Sequence, residues 1–197
     1  SCARGDKRLF SGVSFTLESG QWLHLEGDNG VGKTSLLRLV CGLASVEDGV
    51  ISWNNQPVAQ NPEAFRADLA YLGHQLALKE DLTPLENLQA EAAVSRRDLS
   101  KADALKALAQ LGLRGKEHLP VRVLSQGQKR RSALARLLVS KAKLWILDEP
   151  FVALDGAAQN ALSEVINGHL ANQGMVLLTS HQAVSLGGQG FSYRLAA

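Results

Sequence analysis

Cysteine is nearly absent from this chain: Cys2 and Cys41 are the only two in 197 residues. Two cannot make a disulfide framework, and Cys41 sits in an apolar helical pattern that suits a reduced core residue. Long apolar runs are missing too. No stretch approaches the about 18 consecutive apolar residues of a membrane-crossing helix, and no secretory leader is recognisable. A reducing, cytoplasmic setting is therefore expected. Excess charge of one sign is also lacking, since 21 Lys and Arg against 19 Asp and Glu leave a formal net charge of +2. That is too little to imply a nucleic-acid partner. The chain shows no internal repeat. It also lacks an initiator Met and starts almost at once in Arg4-Gly5-Asp6-Lys7-Arg8, so a few preceding residues are expected. With 45% apolar and 20% charged residues, the chain should bury a core, and its length suits one domain.

What is present is organised around Gly27-Asp28-Asn29-Gly30-Val31-Gly32-Lys33-Thr34, which reads G-x-x-x-x-G-K-T. The short apolar run Trp22-Leu23-His24-Leu25 before it suits a buried strand. Leu36, Leu37, Leu39 and Val40 after it follow a helical period. Glycines let the backbone curl so that successive N–H groups face an anion, and the new helix, opening through Lys33, Thr34 and Ser35, adds its unpaired N–H groups and positive dipole end. Lys33 would reach terminal phosphates, and the Thr34 hydroxyl would sit on Mg²⁺. A glycine-rich turn with a chance lysine is the bland alternative, and the strand–loop–helix context argues against it.

Along the chain, Leu9–Leu17 alternates loosely and reads as a strand, and Val50–Trp53 with Gln56–Val58 reads as a hairpin about Asn54-Asn55. Leu69–Gly73 is a further strand. Thr83-Pro84-Leu85-Glu86 combines a capping box with proline at the first helical position. Ser100 and Asp103 open a second helix with a Leu105, Leu108, Leu111 stripe, and Ser125 prepares a third from Gln128 to about Ser140. Leu144–Leu147 is apolar throughout, as in a strand buried on both faces. A helix over about 157–170, a strand over Met175–Thr179 and a terminal strand near Phe191–Leu195 complete the pattern. The expected fold is α/β, with a parallel-sheet core, a small antiparallel β part and a helical insertion over about residues 76–130.

Asp148 and Glu149 end the Leu144–Leu147 strand, at the sheet edge where ligands bind in open α/β folds. Asp148 would hold Mg²⁺, and Glu149 could polarise an attacking water. An isolated acid pair would more often be a solvated turn; downstream of a phosphate loop the functional reading is the better one. Leu124-Ser125-Gln126-Gly127-Gln128 is a capping box with a glycine inside, and so a helix start open to an anion.

With this stretch the chain resembles the ATP-binding cassette (ABC) family of P-loop NTPases, whose signature is L-S-G-G-Q; here Gln126 stands where the first glycine usually does. The resemblance covers nearly the whole chain as one ATP-binding domain with a helical subdomain. It implies ATP and Mg²⁺ as cofactors and ATP hydrolysis as the activity. By the same resemblance Gln75 senses Mg²⁺ and joins core to helical subdomain, and Asp155, in Val152-Ala153-Leu154-Asp155, lies on the loop that crosses to a partner cassette. His181 becomes the switch histidine at the γ-phosphate. Ser125, Gly127 and Gln128 become nucleotide-closing residues of a second copy in an ATP-sandwich dimer. Arg4 falls where the family usually stacks an aromatic on adenine.

A narrower resemblance, carried by Leu72-Gly73-His74-Gln75, Leu82-Thr83-Pro84-Leu85-Glu86-Asn87-Leu88, Leu144–Phe151 and Thr179-Ser180-His181-Gln182, is to the haem-exporter ATPases of bacterial cytochrome c maturation. It implies integral-membrane permease subunits as partners and a peripheral place on the cytoplasmic face of the inner membrane; docking is expected near Gln75 and Leu76–Asn87, because this apolar stretch links the nucleotide loop to the helical insertion. No nucleic-acid partner is expected. The alternatives are another small-molecule ABC exporter, or a soluble ABC protein acting on nucleic acid or the ribosome. His24, His74, His118 and His169 share no ligand spacing, so they read as structural or solvated and no direct haem binding is expected. Lys129, Arg130 and Arg131 read as surface or phosphate-field charges.

Overall fold

The computed structural model describes residues 2–4 and 7–196, with side chains from Leu9 onward. It falls into two compact units: Ser1–Gly73, Ala142–Pro150 and Asn167–Ala197 make the first, His74–Lys141 and Phe151–Ile166 the second. Among the described residues no helix is long and apolar enough to cross a membrane.

In chain order the strands are β1 (Cys2–Arg4), β2 (Lys7–Phe10), β3 (Gln21–Glu26), β4 (Ser52–Trp53), β5 (Gln56–Pro57), β6 (Leu69–Leu72), β7 (Leu144–Leu147), β8 (Met175–Thr179) and β9 (Gln189–Arg194). The helices are α1 (Lys33–Val40), α2 (Pro62–Ala67), α3 (Pro84–Val94), α4 (Lys101–Gln110), α5 (Gln126–Val139) and α6 (Gly156–Ala171).

All nine strands belong to the first unit. Its main sheet has the order β6-β7-β8-β3-β9, with every neighbour parallel. β7 and β8 are central, and every residue in both is buried, the pattern of strands covered on both faces. Leu36, Leu37 and Leu39 of α1 pack in one core with Leu23, Leu25, Phe65, Ile146 and Leu177. Burying each such side chain is worth about 1.5–3 kcal/mol, so the helix after the loop is held by packing as well as by its own hydrogen bonds.

The β4–β5 hairpin forms as expected: Asn54 and Asn55 take φ of 50° and 61°, as the tight turn between two antiparallel strands requires. The expected strand over Leu9–Leu17 is corrected. β2 ends at Phe10, and residues 11–17 join no ladder. Val13, Phe15 and Leu17 do lie half-buried between exposed neighbours, so the alternation reports which residues face the core. Gly12, at φ +66°, turns the chain off the line of β2. The short α2 went unanticipated, although the Asn61-Pro62 start was readable: Ala64 N–H donates to Asn61 Oδ1 at 3.2 Å.

The second unit is helical. Thr83 and Glu86 complete the expected capping box, with Glu86 N–H donating to Thr83 Oγ1 at 3.1 Å and Thr83 N–H to Glu86 Oε2 at 2.8 Å. Hydrogen bonding from the Thr83 backbone N–H, and then from the Thr83 side chain, holds the Glu86 carboxyl below its ordinary range. Leu108 and Leu111 are buried as the stripe predicts, joined by Ala104 and Ala107, with Leu105 half-buried. The basic cluster is dispersed. Lys129 pairs with Glu80 at 2.7 Å, Arg130 is buried, and Arg131 donates to the carbonyls of Leu111 and Gly112 at the end of α4. Residues 76–130 lie wholly in this unit, which also takes in 131–141 and 151–166.

In the first unit, Trp145 of β7 stacks on His169 with ring centroids 3.8 Å apart and planes 3° from parallel. Burial pushes His169 below its ordinary value of 6.5, while backbone groups of Met175 and Lys143 pull the other way. A histidine held neutral binds its proton more readily in the unfolded chain, so the stability it carries is complete above pH 6.5 and is lost as pH falls below it. The urea unfolding midpoint should therefore fall on acidification from about pH 7 to about 5, and less steeply in His169→Phe. Parallel pH curves for the two proteins would contradict this.

Candidate functional site

The loop Gly27–Gly32 leaves the C-terminal end of β3 and turns directly into α1. Its residues cannot follow ordinary backbone geometry. Gly27, Gly30 and Gly32 take φ of +144°, +83° and +110°, which side-chain-bearing residues rarely adopt. At Gly27 space is short as well, since an added Cβ would lie 2.8 Å from the Leu195 carbonyl oxygen and 2.9 Å from Val31 Cγ1. At Gly30 an added Cβ would meet nothing within 4 Å.

α1 starts at Lys33 with Gly32 as its N-cap, no side-chain cap and no acidic residue in its first turn. Its leading N–H groups therefore have no side-chain acceptor, and they face the curl made by Asp28, Asn29, Gly30 and Val31. Lys33 folds back over that curl, where Nζ donates to Gly27 O at 2.6 Å and to Asp28 O at 3.2 Å. The partners of that ammonium here are two neutral carbonyls rather than a carboxylate. Thr34 and Ser35 complete the first turn.

Asp148 and Glu149 follow β7 at the same edge of the sheet. Asp148 is 3% exposed. The Thr34 hydroxyl donates to its Oδ2 at 2.9 Å, the Thr179 hydroxyl donates to its Oδ1 at 2.8 Å, and its own N–H donates to Leu72 O at 2.8 Å. Glu149 takes φ +51°, a conformation that costs a non-glycine residue about 1–3 kcal/mol unless its surroundings impose it. Its N–H donates to Thr179 Oγ1 at 2.9 Å. Glu149 Oε2 accepts from the His181 N–H at 3.2 Å, and the exposed His181 ring has Nε2 at 3.5 Å from Glu149 Oε1.

The first unit thus brings the glycine loop, Lys33, Thr34, Asp148, Glu149 and His181 to one edge, the last four of them in one hydrogen-bonded set through Thr179. A hydroxyl and a carboxylate 2.9 Å apart are hard oxygen donors, the set Mg²⁺ takes. His24 lies nearby in β3, buried, its Nε2–H donating to the Ser180 carbonyl at 3.1 Å. Thr179 was missed in the sequence, although it is the only polar residue in an otherwise apolar strand.

Gln75, Ser125, Gly127, Gln128 and Asp155 belong to the second unit. Gln75 is exposed. Ser125 caps α5: Gln128 N–H donates to Ser125 Oγ at 3.2 Å, and Ser125 N–H donates to Gln128 Oε1 at 2.9 Å. The helix therefore starts at Gln126, two residues earlier than predicted. Gly127 is pressed against the neighbouring loop, where an added Cβ would stand 3.0 Å from the Ala153 carbonyl. Asp155 on that loop caps α6 by accepting from the Ala158 N–H at 2.8 Å. The side chain of Arg4, the residue expected near a bound base, lies outside the described residues.

A family model described as ABC transporter matches residues 10–152. The cytochrome c biogenesis ATP-binding export protein CcmA of Dechloromonas aromatica is 55% identical over 185 residues, covering 94% of this chain and 91% of that protein. Among solved structures, a putative ABC transporter ATP-binding protein from Pyrococcus furiosus superposes with a TM-score of 0.83 at 24% identity, covering 95% of this chain and 91% of its own. The dimeric post-hydrolysis state of an ATP-binding cassette bound to ADP and Pi has a TM-score of 0.78 at 23% identity, covering 88% and 80%.

The two loop glycines should respond differently to a methyl group. Gly27→Ala meets both a forbidden φ and a backbone collision and is expected to cost about 3 kcal/mol or more, whereas Gly30→Ala meets only the φ penalty of about 1–2 kcal/mol. Chemical denaturation measures both, and an equal or reversed order would show that the crowding at Gly27 relaxes.

Proposed function

This chain belongs to the ABC transporter family, and within it to the cytochrome c biogenesis ATP-binding export proteins; from that premise we propose that it powers haem export for cytochrome c maturation. It is an ATP-hydrolysing cassette. The observation that carries this reading is 55% identity over 91% of a relative named as a cytochrome c biogenesis ATP-binding export protein. It is supported by the shared edge on which the phosphate loop meets Asp148 and Glu149.

In this reading Lys33 and the uncapped N–H groups of α1 bind the β- and γ-phosphates of ATP. Thr34 and Asp148 would hold Mg²⁺, which would draw charge off the phosphate oxygens. Glu149 takes a proton from the water that attacks the γ-phosphorus as the bond to the ADP oxygen breaks. His181, tied to Glu149 by its N–H, presents its ring to the γ-phosphate, and Gln75 would have the Mg²⁺-sensing role that the family resemblance gives it.

Ser125, Gly127 and Gln128 of one copy close over the nucleotide of another, with Asp155 on the loop between them. The permease subunits of the inner membrane dock on the segment 76–87. There Ala77 is exposed and Leu76, Leu78 and Leu82 are half-buried, while Leu85 is core. The cassette is peripheral to the cytoplasmic face, and haem contact falls to the membrane subunits.

Glu149→Gln should keep ATP binding and lose about 10²–10⁴-fold in kcat, while Lys33→Ala weakens nucleotide binding itself. Light scattering of Glu149→Gln should show a dimer with ATP and monomers with ADP, and Ser125→Arg should abolish the dimer. Wild-type turnover in Glu149→Gln would remove Glu149 from the chemistry, and dimers with ADP would remove the sandwich.

In a bacterium deleted for its own cytochrome c biogenesis ATPase, this chain should restore haem-stained c-type cytochromes and Lys33→Ala should not. Ala77→Cys should crosslink to a membrane subunit. Normal ATPase activity without rescue would turn the assignment to another exporter.

A further inference from the structure

We propose that Thr179, which lies outside the residues so far assigned to the nucleotide site, is a positioning residue for ATP hydrolysis, its hydroxyl setting the place of the Asp148 carboxylate and of the Glu149 backbone together. The proposal rests on reading Asp148 as the metal-holding acid and Glu149 as the base.

The direction of every bond at Thr179 is forced. A hydroxyl has one proton, and an ionised carboxylate can only accept, so Thr179 must donate to Asp148 Oδ1 (2.8 Å). Its lone pair is then the acceptor for the Glu149 N–H (2.9 Å). Thr179 is fully buried, so no water stands ready to take over either role. Glu149 needs such a hold. At φ +51° its peptide is turned out of the ordinary strand path, and the N–H so exposed ends on Thr179.

The next contact along the chain works on the same residue, because His181 N–H takes Glu149 Oε2 at 3.2 Å. The end of β8 thus grips Glu149 at its backbone through Thr179 and at its carboxylate through His181. Packing alone does not call for threonine here. Met175, Val176, Leu177 and Leu178 before it are all buried and apolar, and valine has nearly the same shape without a polar atom to bury. The hydroxyl is tolerated because both of its hydrogen-bonding capacities are used.

Thr34 still holds Asp148 Oδ2, so losing the Thr179 hydroxyl should loosen the pair without dismantling it. In the purified chain, Thr179→Val is expected to lower kcat about 10–100-fold with KM for ATP within about threefold, while Thr179→Ser stays within about threefold of wild type. Binding of a fluorescent ATP analogue in EDTA and the thermal midpoint of the nucleotide-bound form give readouts apart from turnover, and analogue affinity should be unchanged in both variants. Wild-type kcat in Thr179→Val overturns the proposal. So does a Thr179→Ser as slow as the valine variant, which would assign the effect to the methyl group, and so does a loss of analogue binding parallel to kcat.

Glu149→Gln measured alongside separates the two layers. Wild-type turnover there sinks the general-base reading and this proposal with it, whereas a slow Glu149→Gln beside a fast Thr179→Val sinks the positioning role alone. Should Thr179→Val fail to fold, Thr179→Ser decides by itself, and a fall of more than about tenfold with the hydroxyl retained would refute the role.

Discussion

A carboxylate withdrawn from water must have its charge answered by donors, and Asp148 imposes that demand on everything around it. At 3% exposure it is held by the Thr34 hydroxyl from the start of α1, by the Thr179 hydroxyl from the end of β8, and through its own N–H by Leu72 at the end of β6. Three elements distant in sequence must finish at one level for a single residue to be tolerable. The parallel ladder arranges this, because Leu72, Leu147 and Leu178 are register partners across β6, β7 and β8.

The same ladder explains why the chemistry collects there. Parallel strands end on one edge, and the helix that follows β3 begins at that edge with its N–H groups uncapped. Positive charge from α1 and Lys33 and negative charge from Asp148 and Glu149 are thus set against the apolar interior of β7 and β8. That interior contains no mobile dipoles to rearrange, so the charges stay where the backbone puts them and act strongly on whatever binds.

The two glycine-bearing helix starts are built differently. Gly32 offers α1 no side chain, so its first turn is free for a ligand, whereas Ser125 and Gln128 satisfy part of the α5 start from within. Gly127 presses on the Ala153 carbonyl instead, which ties the signature turn to the loop carrying Asp155. In the proposed sandwich dimer, a start that binds nucleotide within its own chain and one that closes on a neighbour's nucleotide would need this difference. The first must leave its donors open, while the second needs a fixed shape before the neighbour arrives.

The local signals were legible in the residues themselves. The glycine loop with Lys33 and Thr34, the capping boxes at Thr83 and Ser125, the hairpin turn at Asn54-Asn55 and the apolar runs of β7 and β8 each rest on interactions spanning a few positions, and the sequence encodes those directly. Leu9–Leu17 shows the limit: its alternation reported burial faithfully, yet a strand also needs a partner, and among the described residues none pairs with residues 11–17. The order β6-β7-β8-β3-β9 was decided only by folding. So was the meeting of Thr34 with Asp148 across 114 positions, and of Asp148 with Thr179 across 31. Periodicity and caps are written along the chain; which strand ends lie side by side follows from how whole faces pack, and so the residue joining both acids could be seen only in three dimensions.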